Sequence, residues 1–346
     1  MNSHINPKYL KQLKKRKSLS ADDILKALFR GDKVALSQSI TFVESEQQKH
    51  QEIVDELISA CLPRSGNSIR IGITGVPGVG KSTFIEALGK YLIDMGKKVA
   101  VLAVDPSSSI SKGSILGDKT RMQDLVTRKE AFIRPTASGS SLGGVARKTR
   151  ESIILCEAAG YDIILVETVG VGQSETAVHS MTDFFLLLKL AGAGDQLQGI
   201  KRGIIEMADA ILINKADGDN LRSAQKAKLE FQKALHLYPV KESEWTPKVK
   251  CISALNNDGI IKTWQMLDTY IRSVKNNGYF NKNRFRQQKF WLFDSLNQKL
   301  KQNFYQHPKL KTELKNQLKA IEEQKISSFK AADELYSFYL KSLRGE

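Results

Sequence analysis

No apolar run in the 346-residue chain approaches the roughly 18 residues that a membrane-crossing helix needs, so no membrane span is expected. Cysteine is scarce: Cys61, Cys156 and Cys251 lie far apart with no C-x-x-C pair, which argues against a disulfide framework or a zinc site. The five histidines are scattered and form no metal-binding tract. The basic N-terminal stretch MNSHINPKYLKQLKKRKSLS has no apolar h-region, so no secretory signal is read and a cytoplasmic protein is expected. Acidic residues are outnumbered, leaving a net charge of +16. Much of that excess lies in residues 270–346, where 16 Lys and Arg meet 7 Asp and Glu. There the charges interleave at helical spacing with Phe290, Trp291, Leu292, Leu296 and Leu300. A solvated face on amphipathic helices explains that pattern, and nucleic-acid binding is not expected.

Residues 21–62 carry the i, i+3, i+4 apolar spacing of helices, and Ser20 precedes the first of them as a cap. Pro63, Gly66 and Asn67 mark a break. Short β-rich runs then alternate with helical stretches: IRIGIT (69–74), KVAVLAV (98–104), DIILVE (162–167), ADAILIN (208–214) and, more weakly, VKCIS (249–253). Buried strands separated by helices predict an α/β fold with a mostly parallel central sheet. Beyond about residue 260 the strand signals stop. The expected division is a helical extension over 1–66, a core over 67–265 and a helical arm over 266–346.

The segment Gly75-Val76-Pro77-Gly78-Val79-Gly80-Lys81-Ser82 fits G-x-x-x-x-G-K-[ST] between a strand and a helix. Glycines allow the backbone N–H groups to close around a phosphate, and the helix N-terminus that follows favours an anion. Lys81 is expected on the β- and γ-phosphates, Ser82 on Mg²⁺, and Thr83 in the same nucleotide-binding stretch. Asn214-Lys215-Ala216-Asp217 closes the strand AILIN. There the Asp217 carboxylate can accept from both N1–H and the exocyclic amine of guanine, a donor pair that adenine lacks. Asn214 and Lys215 belong to the same set, and Ser253, Ala254 and Leu255 after the next strand would add backbone contacts. Asp105 and Glu167 end strands in the same sheet, and two carboxylates there suit a hard cation. Glu167-Thr-Val-Gly170 has the spacing of a switch whose Gly N–H senses a γ-phosphate.

These strings together resemble the MeaB/ArgK/MMAA group of P-loop GTPases. The resemblance rests on GVPGVGKSTFIEALG (75–89), VLAVDPSSSISKGSILGDKTRM (101–122), IRP (133–135), SLGGVARKTRE (141–151), VETVGVGQSE (166–175), AGDQLQGIKRG (193–203) and NKAD (214–217). The N-terminal LFRGDKVALSQSITFVES (28–45) is similar too. The resemblance implies a GTPase that uses GTP and GDP states to gate cobalamin loading of an adenosylcobalamin-dependent acyl-CoA mutase, most often methylmalonyl-CoA mutase, and to protect it. Cobalamin would be handled through that partner, and the C-terminal arm would join a homodimer. It also implies catalytic roles for Lys81, Asp105 and Glu167, with Asp195 and Lys201 in a second, partner-responsive switch. Gln196 departs from the acidic residue usual in that switch, and Lys189-Leu-Ala191 lacks the proline often found before it. Two other readings stand beside this one: a kinase or ATPase linked to basic amino-acid transport, and a GTPase metallochaperone. The first lacks H-R-D and D-F-G patterns, and the second predicts Cys or His clusters.

Asp217→Asn is expected to move the preference from GTP towards xanthosine triphosphate, because the amide offers guanine N1–H one acceptor and one misplaced donor. Competition binding of the two nucleotides measures it; unchanged selectivity for GTP would refute base reading by Asp217.

Overall fold

A computed structural model describes residues 20–45, 47–104, 122–136, 142–168, 174–192 and 202–344. The strands are β1 (Ile69–Thr74), β2 (Val99–Val104), β3 (Ala131–Thr136), β4 (Ile163–Thr168), β5 (Phe184–Leu190), β6 (Ala210–Asn214) and β7 (Lys248–Cys251). The described residues form a seven-stranded sheet in the order β3-β2-β4-β1-β5-β6-β7, with every pairing parallel. β2 and β4 are buried at every position, as strands covered on both faces must be. The α/β expectation holds. Two strands carried no sequence assignment, β3 and β5. β3 contains Pro135, which marks a run as an edge strand or none, and β3 is the sheet's edge. β5, FFLLLKL, is an unbroken apolar run, and periodicity cannot tell such a run from buried helix.

The helices are α1 (Ala21–Leu28), α2 (Lys33–Glu44), α3 (Gln48–Cys61), α4 (Lys81–Asp94), α5 (Gln123–Thr127), α6 (Leu142–Ala158), α7 (Ser174–His179), α8 (Arg202–Met207), α9 (Leu221–Leu235), α10 (Ile260–Asn276), α11 (Tyr279–Gln306), α12 (Pro308–Glu322) and α13 (Ser328–Arg344). Ser20 caps α1 by accepting from Asp23 N–H at 3.2 Å, and Asp32 caps α2 by accepting from Val34 and Ala35 N–H at 2.7 and 2.9 Å. α1, α2 and α3 pack on one another, and α2 and α3 pack on α6. On one face of the sheet Ile71, Ile73, Leu165 and Leu186 meet Phe84 and Leu88 of α4 and Leu267 and Ile271 of α10. On the other, Leu187, Ile211 and Ile213 meet Ile205 of α8 and Phe231 of α9.

By contact the chain divides into two compact units, Met1–Gln287 and Gln288–Glu346. α10 thus belongs to the core of the first. In the second, α12 packs on α13, burying Leu310, Ala331 and Leu335, and Phe304 and Tyr339 meet edge to face at 4.9 Å. Leu292, Phe293, Leu296 and Leu300 on α11 are each about half exposed or more.

Where β1 enters the sheet, an ionic network is buried. The Arg70 guanidinium donates twice to Glu157, at 2.8 and 2.9 Å, and Ser68 Oγ donates to the same carboxylate at 2.6 Å. Arg284 donates twice to Asp183, at 2.8 and 2.7 Å, whose Oδ2 also accepts from Arg70 N–H. Burial alone would raise the Glu157 pKa, but Arg70, Ser68 and Arg284 outweigh it and hold the carboxyl below its ordinary value of 4.5. A lowered folded-state pKa gives stability that is complete above about pH 4.5 and is lost as pH falls through the lower, folded value. Glu157→Gln, which strands the Arg70 charge, is expected to destabilise the chain by about 3–5 kcal/mol and to remove that acid-dependent loss. Urea unfolding between pH 3 and pH 7 (a range of about four units spanning the carboxylate titration) reads both effects.

Candidate functional site

All seven strands point their carboxyl ends to one edge, and the loop after β1, the strand between β4 and β5, opens there. This loop is the G-x-x-x-x-G-K-S segment. Gly75 has φ 151° and Gly80 φ 93°, values that side chains resist. Space excludes a side chain as well: a Cβ on Gly75 would lie 2.6 Å from the Leu188 carbonyl oxygen, and one on Gly80 2.6 Å from Asn214 Nδ2. Gly80 leads into α4 with no side-chain cap, so the first N–H groups of that helix face the loop. Lys81 is buried and donates to the Gly75 carbonyl at 2.9 Å. Ser82 is buried beside it in the first turn; Pro77, Gly78 and Thr83 are exposed, and Val79 is buried.

Glu167 is buried near the carboxyl end of β4, in register between Ile73 of β1 and Ala103 of β2. Side chains alternate along a strand, so Glu167 shares the face of Ile163 and Leu165, the face that α4 covers. The sheet therefore puts this carboxylate on the side where Lys81 and Ser82 begin α4. Thr168, pointing the other way, donates its hydroxyl to Thr74 Oγ1 at 2.8 Å and pins β4 to β1 just below the loop. Nothing in the sequence singled out that hydroxyl pair.

Asn214 closes β6 and is buried. Its Nδ2 donates to the Val79 carbonyl at 2.8 Å and its Oδ1 accepts from Ala254 N–H at 3.1 Å. One carboxamide thus joins the phosphate-loop segment to the 253–255 segment. Lys215 takes φ 58°, uncommon without glycine, and Asn220 Nδ2 donates to its carbonyl at 2.7 Å. Ser253 donates its hydroxyl to Asp217 Oδ2, and Ala216 N–H donates to the Ile252 carbonyl at 2.9 Å. Ala254 is buried and Leu255 is largely exposed. Lys81, Ser82, Glu167, Asn214, Asp217, Ser253 and Ala254 are therefore gathered at one edge. Asp105, Gly170, Asp195 and Lys201 lie outside the described residues.

The family model described as methylmalonyl Co-A mutase-associated GTPase MeaB matches residues 36–309. The chain belongs to the MeaB family of GTPases. A probable GTPase of Mycobacterium tuberculosis is 46% identical over 88% of this chain and 91% of its own length. GTPase ArgK of Escherichia coli is 48% identical over 78% of this chain and 81% of its own. The mitochondrial methylmalonic aciduria type A homolog of Mus musculus is 41% identical over 90% of this chain and 78% of its own. Among solved structures, the LAO/AO transport system kinase superposes with a TM-score of 0.76 at 36% identity, covering 94% of this chain and 99% of that one. This MeaB-family chain is accordingly a P-loop GTPase, an enzyme that hydrolyses GTP, and its fold implies a nucleotide site.

One residue beside the site departs from ordinary burial rules. Lys189 in β5 is 1% exposed, and among the described residues its ammonium has no hydrogen-bond partner; only the Phe231 ring lies near, at 5.7 Å. Burial pushes its pKa down to about 8. Below that pH both folded and unfolded chains hold the proton, and the folded state bears the whole penalty of a buried charge. As pH rises from about 8 towards the unfolded value of 10.5 the folded chain sheds the proton first, so stability rises across that window. Lys189→Met is expected to stabilise the protein by roughly 1–3 kcal/mol at neutral pH and to flatten the alkaline rise. Thermal unfolding of both chains at pH values on either side of 8 tests this.

Proposed function

We propose that this GTPase holds GTP across the edge formed by β1, β4, β5 and β6 and uses its nucleotide state to gate cobalamin loading of an acyl-CoA mutase and to protect it, with methylmalonyl-CoA mutase as the client. The observation that carries the site assignment is the Asn214 carboxamide, which joins the phosphate loop at Val79 to the base-side segment at Ala254. In this reading the N–H groups of Gly78 to Ser82 surround the β-phosphate and Lys81 moves its ammonium from the Gly75 carbonyl to the β- and γ-oxygens. Asp217 accepts from guanine N1–H and the exocyclic amine. Ser253, which donates to Asp217, holds that carboxylate in place.

The donor set fits magnesium: the Ser82 hydroxyl and the Glu167 carboxylate are oxygen ligands on the α4 side of the sheet, and Asp105 immediately follows Val104 of β2. When bound, Mg²⁺ supplies charge neutralisation at the phosphate oxygens. Glu167-Thr-Val-Gly170 is read as the γ-phosphate sensor. Asp195 and Lys201 are read as the partner-responsive switch, Lys201 stabilising developing charge on the phosphates as an arginine finger does. The mutase role is supported by the description of the matching family and by the methylmalonic aciduria type A homologs among the relatives. The extension over 1–66, the core over 67–265 and the arm over 266–346 are proposed as functional divisions. The arm is proposed to join a homodimer through the exposed apolar residues of α11, Leu292, Phe293, Leu296 and Leu300. The cytoplasm is the proposed compartment.

A transport-linked kinase activity is the second reading, prompted by the solved structure described as a LAO/AO transport system kinase. Purified methylmalonyl-CoA mutase separates the two. It is expected to form a complex whose stability differs between GDP and a non-hydrolysable GTP analogue, and to raise GTP turnover by at least about tenfold. Lys201→Ala should keep the basal rate and lose that stimulation. A mutase that neither binds nor stimulates would remove the chaperone reading, while equal loss of both rates in Lys201→Ala would remove the partner-responsive role.

A further inference from the structure

At the opposite edge of the sheet, where β5 and β6 begin, the first unit contains a cavity of about 800 Å³. Strands of five to seven residues separate it from the phosphate loop, a distance of about 20 Å. Its volume lies in the range of sites that take small organic ligands. The walls are largely aromatic. The Trp245 and Tyr270 rings meet edge to face at 5.3 Å, as do His179 and Phe185 at 5.4 Å, and Tyr279 lies beside them.

The polar atoms of these walls are mostly committed to protein partners. Tyr270 OH donates to the Asp183 carbonyl at 3.1 Å and Trp245 Nε1–H to the Asp209 carbonyl at 3.0 Å. Asp209 accepts from Lys241 Nζ at 2.8 Å and from Phe185 N–H at 2.9 Å. Asp183 is held by Arg284, and Glu242 by Lys282 at 2.6 Å and Arg286 at 2.7 Å. Glu206 is exposed to solvent at the cavity margin. The charges inside are thus matched before any ligand arrives.

One polar group is left over. The half-buried His179 ring makes no hydrogen bond among the described residues. Burial lowers its pKa below the ordinary 6.5; Asp209 opposes this and Lys241 and Arg286 reinforce it. A neutral imidazole presents one N–H donor and one ring-nitrogen acceptor.

We infer that this cavity is a second ligand site, specific for an uncharged planar heteroaromatic molecule that stacks among Phe185, Trp245 and Tyr270 and hydrogen-bonds His179. The class follows from the aromatic walls, the matched charges and the single donor–acceptor group. A charged guest would lose its hydration without finding a free counter-ion. The site is placed to act on GTP turnover. Thr176 and His179 of α7 and Met207 of α8 line it, and these two helices follow in sequence the segments proposed above as the two switches, on which reading the coupling rests.

The probe is 7-azaindole, which carries a ring donor and a ring acceptor, titrated calorimetrically into the full chain with GDP present. Indole-3-acetate and tryptamine serve as anionic and cationic counterparts. The uncharged probe is expected to bind best, and His179→Leu to weaken it about tenfold, the loss of one hydrogen bond in a desolvated site. Val240→Trp changes a cavity-lining residue that is 83% exposed, so it narrows the mouth without touching the core and guards against misfolding of the histidine variant. It should also weaken the probe. Absence of binding, equal binding in wild type and both variants, or tighter binding of either charged analogue would overturn the site. Saturating probe should change GTP kcat/KM at least about twofold in the wild type and leave His179→Leu unmoved. Binding without that change would overturn the coupling. Binding of a fluorescent GDP analogue, measured in the same samples, shows separately whether the nucleotide site itself stands.

Discussion

Every described strand runs the same way, and from that constraint the rest follows. Parallel strands need crossover connections, and the crossovers cover both faces of the sheet with helices. The strand interiors must then be apolar, which is why β2 and β4 are buried throughout. Polar residues are left to the strand ends, and at the carboxyl edge those ends come together. Thr74, Glu167, Thr168 and Asn214 come from three strands and occupy one edge because their register puts them there. Asn214 then converts proximity into a fixed distance, with one hydrogen bond to the loop after β1 and one to the segment after β7.

The opposite edge is held by a different kind of interaction. Arg70, Glu157, Asp183 and Arg284 come from β1, α6, β5 and α11, and each charge is matched in the interior. Removing one member leaves a buried ion without a partner, so the network fixes these elements as a set. Lys189 is the contrast. It sits in the same sheet with an aromatic ring as its neighbour and no acceptor among the described residues, and its pKa falls accordingly. The cavity beside the network follows the first pattern, with paired charges and aromatic walls, and with His179 as the group whose hydrogen-bonding capacity is uncommitted.

Much of this was legible along the chain. The phosphate-loop spacing, the helix that follows it and the Asn-Lys-Ala-Asp run at a strand end are local features, each set by fewer than about ten consecutive residues. β3 and β5 were not legible. Pro135 and the unbroken FFLLLKL run give no two-residue alternation, and only pairing with β2, and with β1 and β6, makes them strands. The Thr74–Thr168 bond joins residues 94 positions apart, and neither threonine has a local pattern to mark it. The ionic network was hidden for the same reason: Arg284 sits in an amphipathic helical stretch where a basic residue is ordinarily solvated, yet it is buried against Asp183.

By itself, the sequence determined the chemistry that a backbone turn and a few side chains can hold: a phosphate cradle, a guanine-reading carboxylate, and the order of strand and helix that makes the sheet parallel. Tertiary structure alone decided which distant residues share an edge, where charges are matched in the interior, and that a cavity opens about 20 Å from the cradle. The reason is physical. Loop conformation and helix capping depend on neighbours along the chain, whereas burial, ion pairing and cavity shape depend on neighbours across the sheet, and those are fixed only when β5 lies between β1 and β6.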